Sequence, residues 1–385
     1  MKKMVTITAV CVLLSVSLVA YDLPQLDVLN LRSRAMGGVA LAFADDQYAP
    51  VNNPAGMGLM RERYVSLIQV QLVLSGDMVE GYKYKDRFST LLSGDYAIAN
   101  DMWNYMTRLR LSVGTTPLYF ALLNVLPLDF NLVVFNTFRT RLKTNPDIPV
   151  PSWDIEGYND TVAIFNWSMN LVDFKYMNLF VGANAKLVHR VMFLENRMDL
   201  LAIKELMRFS LEDVDLMRAL SFGMDLGVMA EMGHSKRFRL AFTVSDFFAT
   251  KFSWTRLDPR DIWGVTLGQG GTESIEPAFN AGFCWRIGTI IPILIEDLLV
   301  GADIRNFLDK EINIFLKLYA GLEFTTLGFI KLRTGLYQGW LTGGIGIDIP
   351  LLPLEIHLSY WAEELGDFPG QERLDNFAAT LNLVF

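Results

Sequence analysis

Apolar and polar residues alternate along this chain in runs of ten or so positions, and no other feature limits the possible folds as tightly. Between Glu311 and Glu323, Ile312, Ile314, Leu316, Leu318, Ala320 and Leu322 share one face against Glu311, Asn313, Lys317 and Glu323. The final stretch sets Phe377, Ala379, Leu381, Leu383 and Phe385 against Asn376, Thr380 and Asn382. Ala163, Phe165, Trp167, Met169 and Leu171 oppose Asn166, Ser168 and Asn170, and Leu354, Ile356, Leu358 and Tyr360 oppose Glu355, His357 and Ser359. A period of two belongs to a strand with one apolar and one mixed face. Strands of soluble sandwiches average about five or six residues, whereas a tilted strand crossing a bilayer needs roughly 9 to 11. The runs match the second length. In lipid every backbone donor and acceptor needs an internal partner, and only a closed barrel supplies one to strands.

The alternation predicts strands at about 64–74, 117–126, 129–142, 161–173, 177–191, 220–232, 237–249, 277–287, 297–306, 311–323, 327–337, 341–349, 353–363 and 374–385. Connections between them alternate in length. Ser75 to Thr116, Lys143 to Asp160, Met192 to Ala219 and Thr250 to Glu276 are long, whereas the links near Pro127, Lys175, His234, Thr325 and Leu351 are short. Long loops at one end and tight turns at the other are the pattern of an outer-membrane barrel. The fold expected is therefore all-β: a transmembrane antiparallel β-barrel of about 14 strands spanning 64–385.

Composition agrees. Apolar residues make up 51% of the 385 positions and charged residues 20%, with a mean hydropathy of +0.27. That is greasy for a soluble chain, yet no segment after the N-terminus offers the roughly 18 uninterrupted apolar residues of a membrane helix. Lys2-Lys3 followed by the apolar run Met4 to Ala20 reads as a secretory signal peptide, residues 1–20, cleaved before Tyr21. Cys11 is lost with it, which leaves Cys284 alone and excludes an intrachain disulfide framework or a thiolate metal cluster. A net charge of −8 without any basic run argues against nucleic acid as a partner.

Residues 21–63 stand apart from the alternation. From Asn30 to Met60 the chain is rich in Gly and Ala, with Gly37-Gly38, the acidic pair Asp45-Asp46 and Asn53-Pro54-Ala55. Gly admits backbone conformations closed to other residues, Asp and Asn favour local side-chain-to-backbone bonds, and Pro fixes φ while removing a donor. Such a stretch folds as a compact irregular plug. Arg34-Ala35-Met36-Gly37-Gly38, Ala44-Asp45-Asp46 and Asn53-Pro54-Ala55, in that order, resemble the N-terminal hatch of the FadL family, outer-membrane transporters of long-chain fatty acids and other hydrophobic molecules. PorV-like barrels, components of a protein secretion and attachment system, carry a similar pattern, and Gly56 after Ala55 fits them slightly better. The resemblance implies a lumenal hatch entering from the periplasmic side, Gly37, Gly38, Asp45, Asp46, Asn53, Pro54 and Ala55 as gating residues, long loops outside, and release of cargo sideways beside a kinked strand. No Gly lies between Leu118 and Leu142 to mark that kink. Phe385 resembles the terminal aromatic that barrel-assembly machinery recognises.

Chemistry is sparse. His189, His234 and His357 have no neighbouring ligand at metal spacing, and neither a His-Glu metalloprotease pair nor a Gly-x-Ser-x-Gly elbow is present, so no cofactor, metal or enzyme is expected. Gly268-Gln269-Gly270-Gly271 lacks the Lys-Ser/Thr of a phosphate loop and reads as a loop tip. Asp45-Asp46 could form a carboxylate dyad, but local backbone bonding in a turn is the commoner use of Asp. Arg139 and Arg141, with Lys186 and Arg190 on another strand, form either a basic rim or a lumenal patch for an anionic head. Phe315 and Tyr319, Phe180 and Val188, and Trp361 interrupt the otherwise polar face of their strands, which suits a hydrophobic passenger. Leu206 and Phe209 fall in a stretch of helical period, Leu200 to Leu220, read as two short amphipathic helices that pack on the barrel mouth or capture cargo. The function expected is passive uptake of long-chain fatty acids or similar hydrophobic molecules across an outer membrane, with a secretion partner as the alternative.

Overall fold

The computed structural model describes residues 30–46, 48–59, 66–75, 110–125, 128–145, 152–199, 215–258, 261–349 and 352–384. The signal stretch, Leu206, Phe209 and Phe385 lie outside them. Two short helices, α1 (Leu31–Ala35) and α2 (Ala49–Asn52), and a 3-10 turn (Pro54–Leu59) precede the sheet. Asn30 caps α1 by accepting from the Ser33 amide at 3.1 Å, and the helix ends where Gly37 and Gly38 turn to φ 67° and 87°.

Sixteen strand segments follow: β1 (Ser66–Ser75), β2 (Arg110–Val125), β3 (Leu128–Asn145), β4 (Ser152–Phe174), β5 (Met177–Asp199), β6 (Asp215–Met232), β7 (Phe238–Ser245), β8 (Thr250–Asp258), β9 (Asp261–Ile275), β10 (Ala278–Gly288), β11 (Glu296–Ile304), β12 (Leu318–Thr326), β13 (Ile330–Tyr337), β14 (Trp340–Asp348), β15 (Leu354–Glu364) and β16 (Arg373–Val384). All their pairings are antiparallel, and β1 pairs with β16 while β5 pairs with β6, so the sheet closes on itself. Along β6, the upper residues Leu216–Arg218 pair with β8 and the lower residues Leu226–Met232 pair with β7. β8 thus continues β7, and β9 leads into β10 through two intervening residues. The ring has fourteen positions, two of them broken between Asp246 and Ala249 on one side and near Glu276 on the other. Asp246 and Ala249 take φ 53° and 55°, which ends the regular ladder there.

Burial runs opposite to that of a soluble protein. Outward-facing Phe165, Phe222, Leu341, Leu358 and Leu381 are exposed, whereas Gln71, Asn131, Asn166, Asn184, Thr243, Ser359 and Asn382 are buried on the inner face. A lipid-facing exterior around a polar interior is the arrangement of a transmembrane barrel. The plug sits in the interior, and two of the packed clusters join it to the wall. Leu31, Met36, Val39, Leu41 and Phe43 pack with wall residues Val73, Tyr319, Tyr337 and Trp361. Ala44, Tyr48, Ala55 and Met57 pack with Val133, Ile164, Phe180, Val188 and Phe252.

Each of the fourteen expected runs falls on a ring position, but the expected loops Lys143 to Asp160 and Met192 to Ala219 are partly strand, since β4 begins at Ser152 and β5 runs to Asp199, and three further corrections apply. The expected loop from Thr250 to Glu276 carries β8 and β9, whose Phe252 and Trp254 turn inward and are buried. In the expected helical stretch, Asp215 to Leu220 belong to β6, where pairing with β5 and β8 outweighs the local period. The run Glu311 to Glu323 is strand only from Leu318, since Asn313 accepts from the Phe315 amide at 3.0 Å and nucleates a 3-10 turn, Ile314–Lys317. A local side-chain bond there replaces the ladder.

The outer face gives a direct check. Ile345 sits in mid-β14 and faces outward, so Ile345→Arg should cost about 2–4 kcal/mol when the chain is refolded from urea into vesicles, as a charge near the bilayer midplane does. Ser235→Arg, in an exposed turn, should leave that curve unchanged.

Candidate functional site

The plug's short helices and turns satisfy part of its backbone among themselves, and its remaining buried N–H and C=O groups need partners elsewhere. Inward-facing wall side chains supply them. At the first seat the Thr342 hydroxyl donates to the Ala35 carbonyl at 2.8 Å and accepts from the Gly37 amide at 2.9 Å. Ser359 donates to the Leu31 carbonyl at 2.9 Å, and the Asp303 carboxylate accepts from the Ala40 and Leu41 amides at 2.7 and 3.0 Å. At the second seat Asn166 donates to the Pro54 carbonyl at 3.1 Å and Asn184 to the Pro50 carbonyl at 2.5 Å. Asn131, Asn166, Asn184 and Asp225 are successive register partners across β3 to β6 and bond to one another in series. Asn53, fully buried, donates to the Leu41 carbonyl at 3.2 Å and the Val228 carbonyl at 3.4 Å, and accepts from the Ala55 amide at 3.1 Å.

Paired wall glycines let the plug backbone come this close. Gly321 and Gly335 face each other across β12 and β13, and a Cβ on either would lie 2.1–2.5 Å from plug backbone at Met36 or Gly37. Gly182 and Gly227 face each other across β5 and β6, and a Cβ there would strike Pro54 or the Asn53 side chain at 2.4 and 2.2 Å. Thus Gly37 and Asn53-Pro54-Ala55 each rest on a glycine pair of the opposite wall. Gly56 is fixed inside the plug, since its Cβ would come within 2.2 Å of the Ala44 carbonyl oxygen.

Charge ties the seats together. Arg32 bonds Asp45 at 2.8 Å, Asp46 at 3.1 Å and Glu323 of β12 at 2.8 Å, and Glu323 also takes Arg333 at 2.6 Å. From the other wall Arg239 bridges Asp45 and Glu231, each at 3.0 Å. Asp45 is therefore an ionic hub rather than half of a dyad or a turn former. Asp46 does serve a turn, accepting from the Tyr48 amide at 2.9 Å. Burial works against ionising Asp45, but the Arg32 and Arg239 guanidiniums outweigh it and hold its carboxyl below the usual carboxylate range. For Asp46, burial and the adjoining Asp45 charge together outweigh Arg32 and place it above that range.

Of the expected binding residues, Lys186 and Arg190 are buried on the inner face of β5. Lys186 pairs with Asp225 at 2.6 Å and Asp246 at 2.7 Å, and Arg190 takes Asp160 through two bonds of 2.6 and 2.9 Å. Arg139 and Arg141 stand in register with Tyr158 and Glu156 of β4, and their side chains lie outside the described residues. Tyr319 is buried against Gly38. Phe315 is 62% exposed, outside the barrel ladder in the 3-10 turn, and so does not line the interior. Phe180, Val188 and Trp361 are inner-face residues, but the plug packs with them. No group of metal-ligating side chains occurs among the described residues.

The sequence also left unmarked Arg32, Asp303, the Asn ladder and the four wall glycines. Glycine inside a strand pattern is the signal that was available, since it marks close backbone approach. One further feature is a seam in the wall. β1 pairs with β2 only from Val70 to Ser75, against Thr115 to Arg110, while Ser66–Gln69 pair with β16 alone among the described residues. The β2–β3 register also shifts between Thr115 and Leu118. Pro117, which has no N–H to donate, lies at that break.

No protein-family model and no curated protein matches this chain. Solved structures do. A deletion mutant of TodX, a monoaromatic hydrocarbon channel, superposes with a TM-score of 0.53 at 12% identity, covering 92% of this chain and 97% of that one. A second TodX deletion mutant gives 0.52 at 14% identity, with 92% and 96% covered. A Pseudomonas aeruginosa FadL homologue matches at 0.44 and 12%, with 92% and 96% covered. The chain thus shares the β-barrel fold of the TodX channel, and at these identities the likeness concerns fold alone.

Two substitutions test the plug's seating. Asp45→Asn should loosen the plug by about 3 kcal/mol, because it leaves Arg32 and Arg239 short of a buried partner, and the plug should become protease-sensitive while the barrel persists. Asp45's contribution, with its lowered pKa, is complete at neutral pH and lost only as the pH falls through that value; Asp46's raised pKa acts with the opposite sign, its ionised form opposing docking at neutral pH. Asp46→Asn should therefore protect the plug from protease at pH 7 as well as wild type or better, and flatten its response to mild acid.

Proposed function

We infer that this chain is an outer-membrane channel for passive uptake of hydrophobic small molecules, with the plug as its barrier. The carrying observation is a plug wedged between opposite walls of an apolar-out barrel by separable polar contacts. Those contacts include Asn53 with Val228, Arg32 with Glu323 and Asp45 with Arg239, side-chain bonds that can exchange without opening the barrel ladder. In this reading the short-turn end faces the periplasm, the loop end receives cargo, and barrel-assembly machinery inserts the chain beside outer-membrane lipid.

Cargo class follows from the charges. A long-chain fatty acid brings a carboxylate, which needs a cation in a desolvated lumen. Lys186 and Arg190 already bond carboxylates of the wall, so uncharged hydrophobic molecules suit this interior better than fatty acids do. TodX, described as a monoaromatic hydrocarbon channel, is of that kind. The β1–β2 seam at Pro117 is the place in the wall for sideways release. The secretion-partner reading loses its distinguishing mark, since Gly56 answers to packing against Ala44.

Mass spectrometry of protein extracted in mild detergent should recover an uncharged hydrophobic molecule or a fatty acid, and labelled toluene should enter proteoliposomes faster than lipid leakage allows. Empty protein together with leak-rate entry would end the proposal. Asn53→Ala should leave barrel melting nearly unchanged and alter that entry several-fold. Wild-type entry by a folded variant would remove Asn53 from gating.

A further inference from the structure

Turns at the short-turn end of the barrel differ sharply around its circumference. On the side of the long strands two of them carry charge: Lys175-Tyr176, beside exposed Phe174, joins β4 to β5, and Gly233 to Arg237, with His234 and Lys236, joins β6 to β7, while residues 126–127 between β2 and β3, Leu-Pro, lie outside the described residues. On the opposite side three successive turns are apolar. Residues 289–295 between β10 and β11 read Thr-Ile-Ile-Pro-Ile-Leu-Ile, and exposed Ile293 (61%), Leu294, Leu327 and Leu352 stand out along this rim. Hydrogen bonds join the turns in series, from the Leu327 amide to the Ile293 carbonyl at 2.7 Å and from the Asp348 amide to the Phe329 carbonyl at 3.0 Å. The rim is continuous.

Strand length varies in step with it. β4 and β5 have 23 residues each, whereas β11, β12 and β14 have 9 and β13 has 8. A rise of about 3.3 Å per residue at a tilt of about 40° gives an eight-residue strand roughly 20 Å of membrane depth. The apolar band of such a barrel is about 25 Å tall. The short side thus falls roughly 5 Å short of the band, about the depth of one turn, and its three turns carry no charged residue, whereas those at 175–176 and 233–237 do. We propose that this rim lies in the interfacial layer of the adjoining leaflet, with Ile293, Leu294, Leu327 and Leu352 packed among phospholipid acyl chains. The occupant is lipid because the rim continues the outward apolar face, on which Leu336 and Ile345 of β13 and β14 are exposed. The barrel is consequently seated with its short wall sunk and its long strands projecting. This rests on the barrel fold and not on the cargo, so failure of one reading leaves the other standing.

Spin labels at Ile293→Cys, Leu327→Cys and His234→Cys test it in full-length protein reconstituted into phosphatidylethanolamine–phosphatidylglycerol vesicles. Cys284 is buried, and the unsubstituted chain serves as the labelling blank. Positions 293 and 327 should collide several-fold more with oxygen, and several-fold less with a water-soluble nickel chelate, than position 234. Equal chelate access at all three would overturn the proposal and leave the rim open to water or to a soluble protein. For variants that do not insert, photolabelling of the unsubstituted chain by a diazirine lipid supplies the answer. Peptides covering 289–295 and 327–329 should be labelled and those covering 233–237 should not; the reverse pattern refutes the idea.

Discussion

A segment of short helices and irregular turns, buried inside a barrel, can persist only if the backbone groups left over by its own bonds are satisfied, and the rest of this structure depends on that constraint. Helices and ladders answer their own N–H and C=O groups; the plug between Asn30 and Leu59 does so only in part. Its groups are answered by side chains that the wall turns inward, among them Thr342, Ser359, Asp303, Asn166 and Asn184. The same requirement explains why the wall is glycine where it meets the plug, since a hydroxyl or amide reaches a buried carbonyl only if the two backbones approach closely.

The charged contacts add specificity more than stability. A buried ion pair recovers through Coulomb attraction roughly what it lost in desolvation, but a buried charge left alone is costly. Asp45 between Arg32 and Arg239, and Glu323 between Arg32 and Arg333, therefore fix where the plug sits and penalise other positions. Lys186 and Arg190 follow the same rule within the wall, where Asp225, Asp246 and Asp160 balance them.

A barrel with inward polar groups could be an open aqueous pore, yet here Thr342, Ser359, Asp303, Asn166 and Asn184 among them are engaged with the plug. Closure is thus a property of plug and wall together. Displacing the plug would exchange a limited set of side-chain contacts while the strand ladder stays intact.

Period-two alternation, set by the alternate exposure of successive side chains on a strand, determined the all-β class and the positions of the fourteen ring strands from sequence alone. It is a local signal, and it failed where another local bond competed, as when Asn313 diverted Ile314–Lys317 into a 3-10 turn, and where pairing overrode it, as at Asp215 to Leu220. The motif residues Gly37, Gly38, Asp45, Asp46 and Asn53 were legible as a plug because Gly, Asp, Asn and Pro carry their backbone preferences with them. Their partners were not. Arg32 meets Glu323 across 291 positions of chain, and Asn53 meets Val228 across 175. Neither separation leaves any trace in spacing or composition, because closing the ring brings those residues together, and only the closed ring decides which charge answers which.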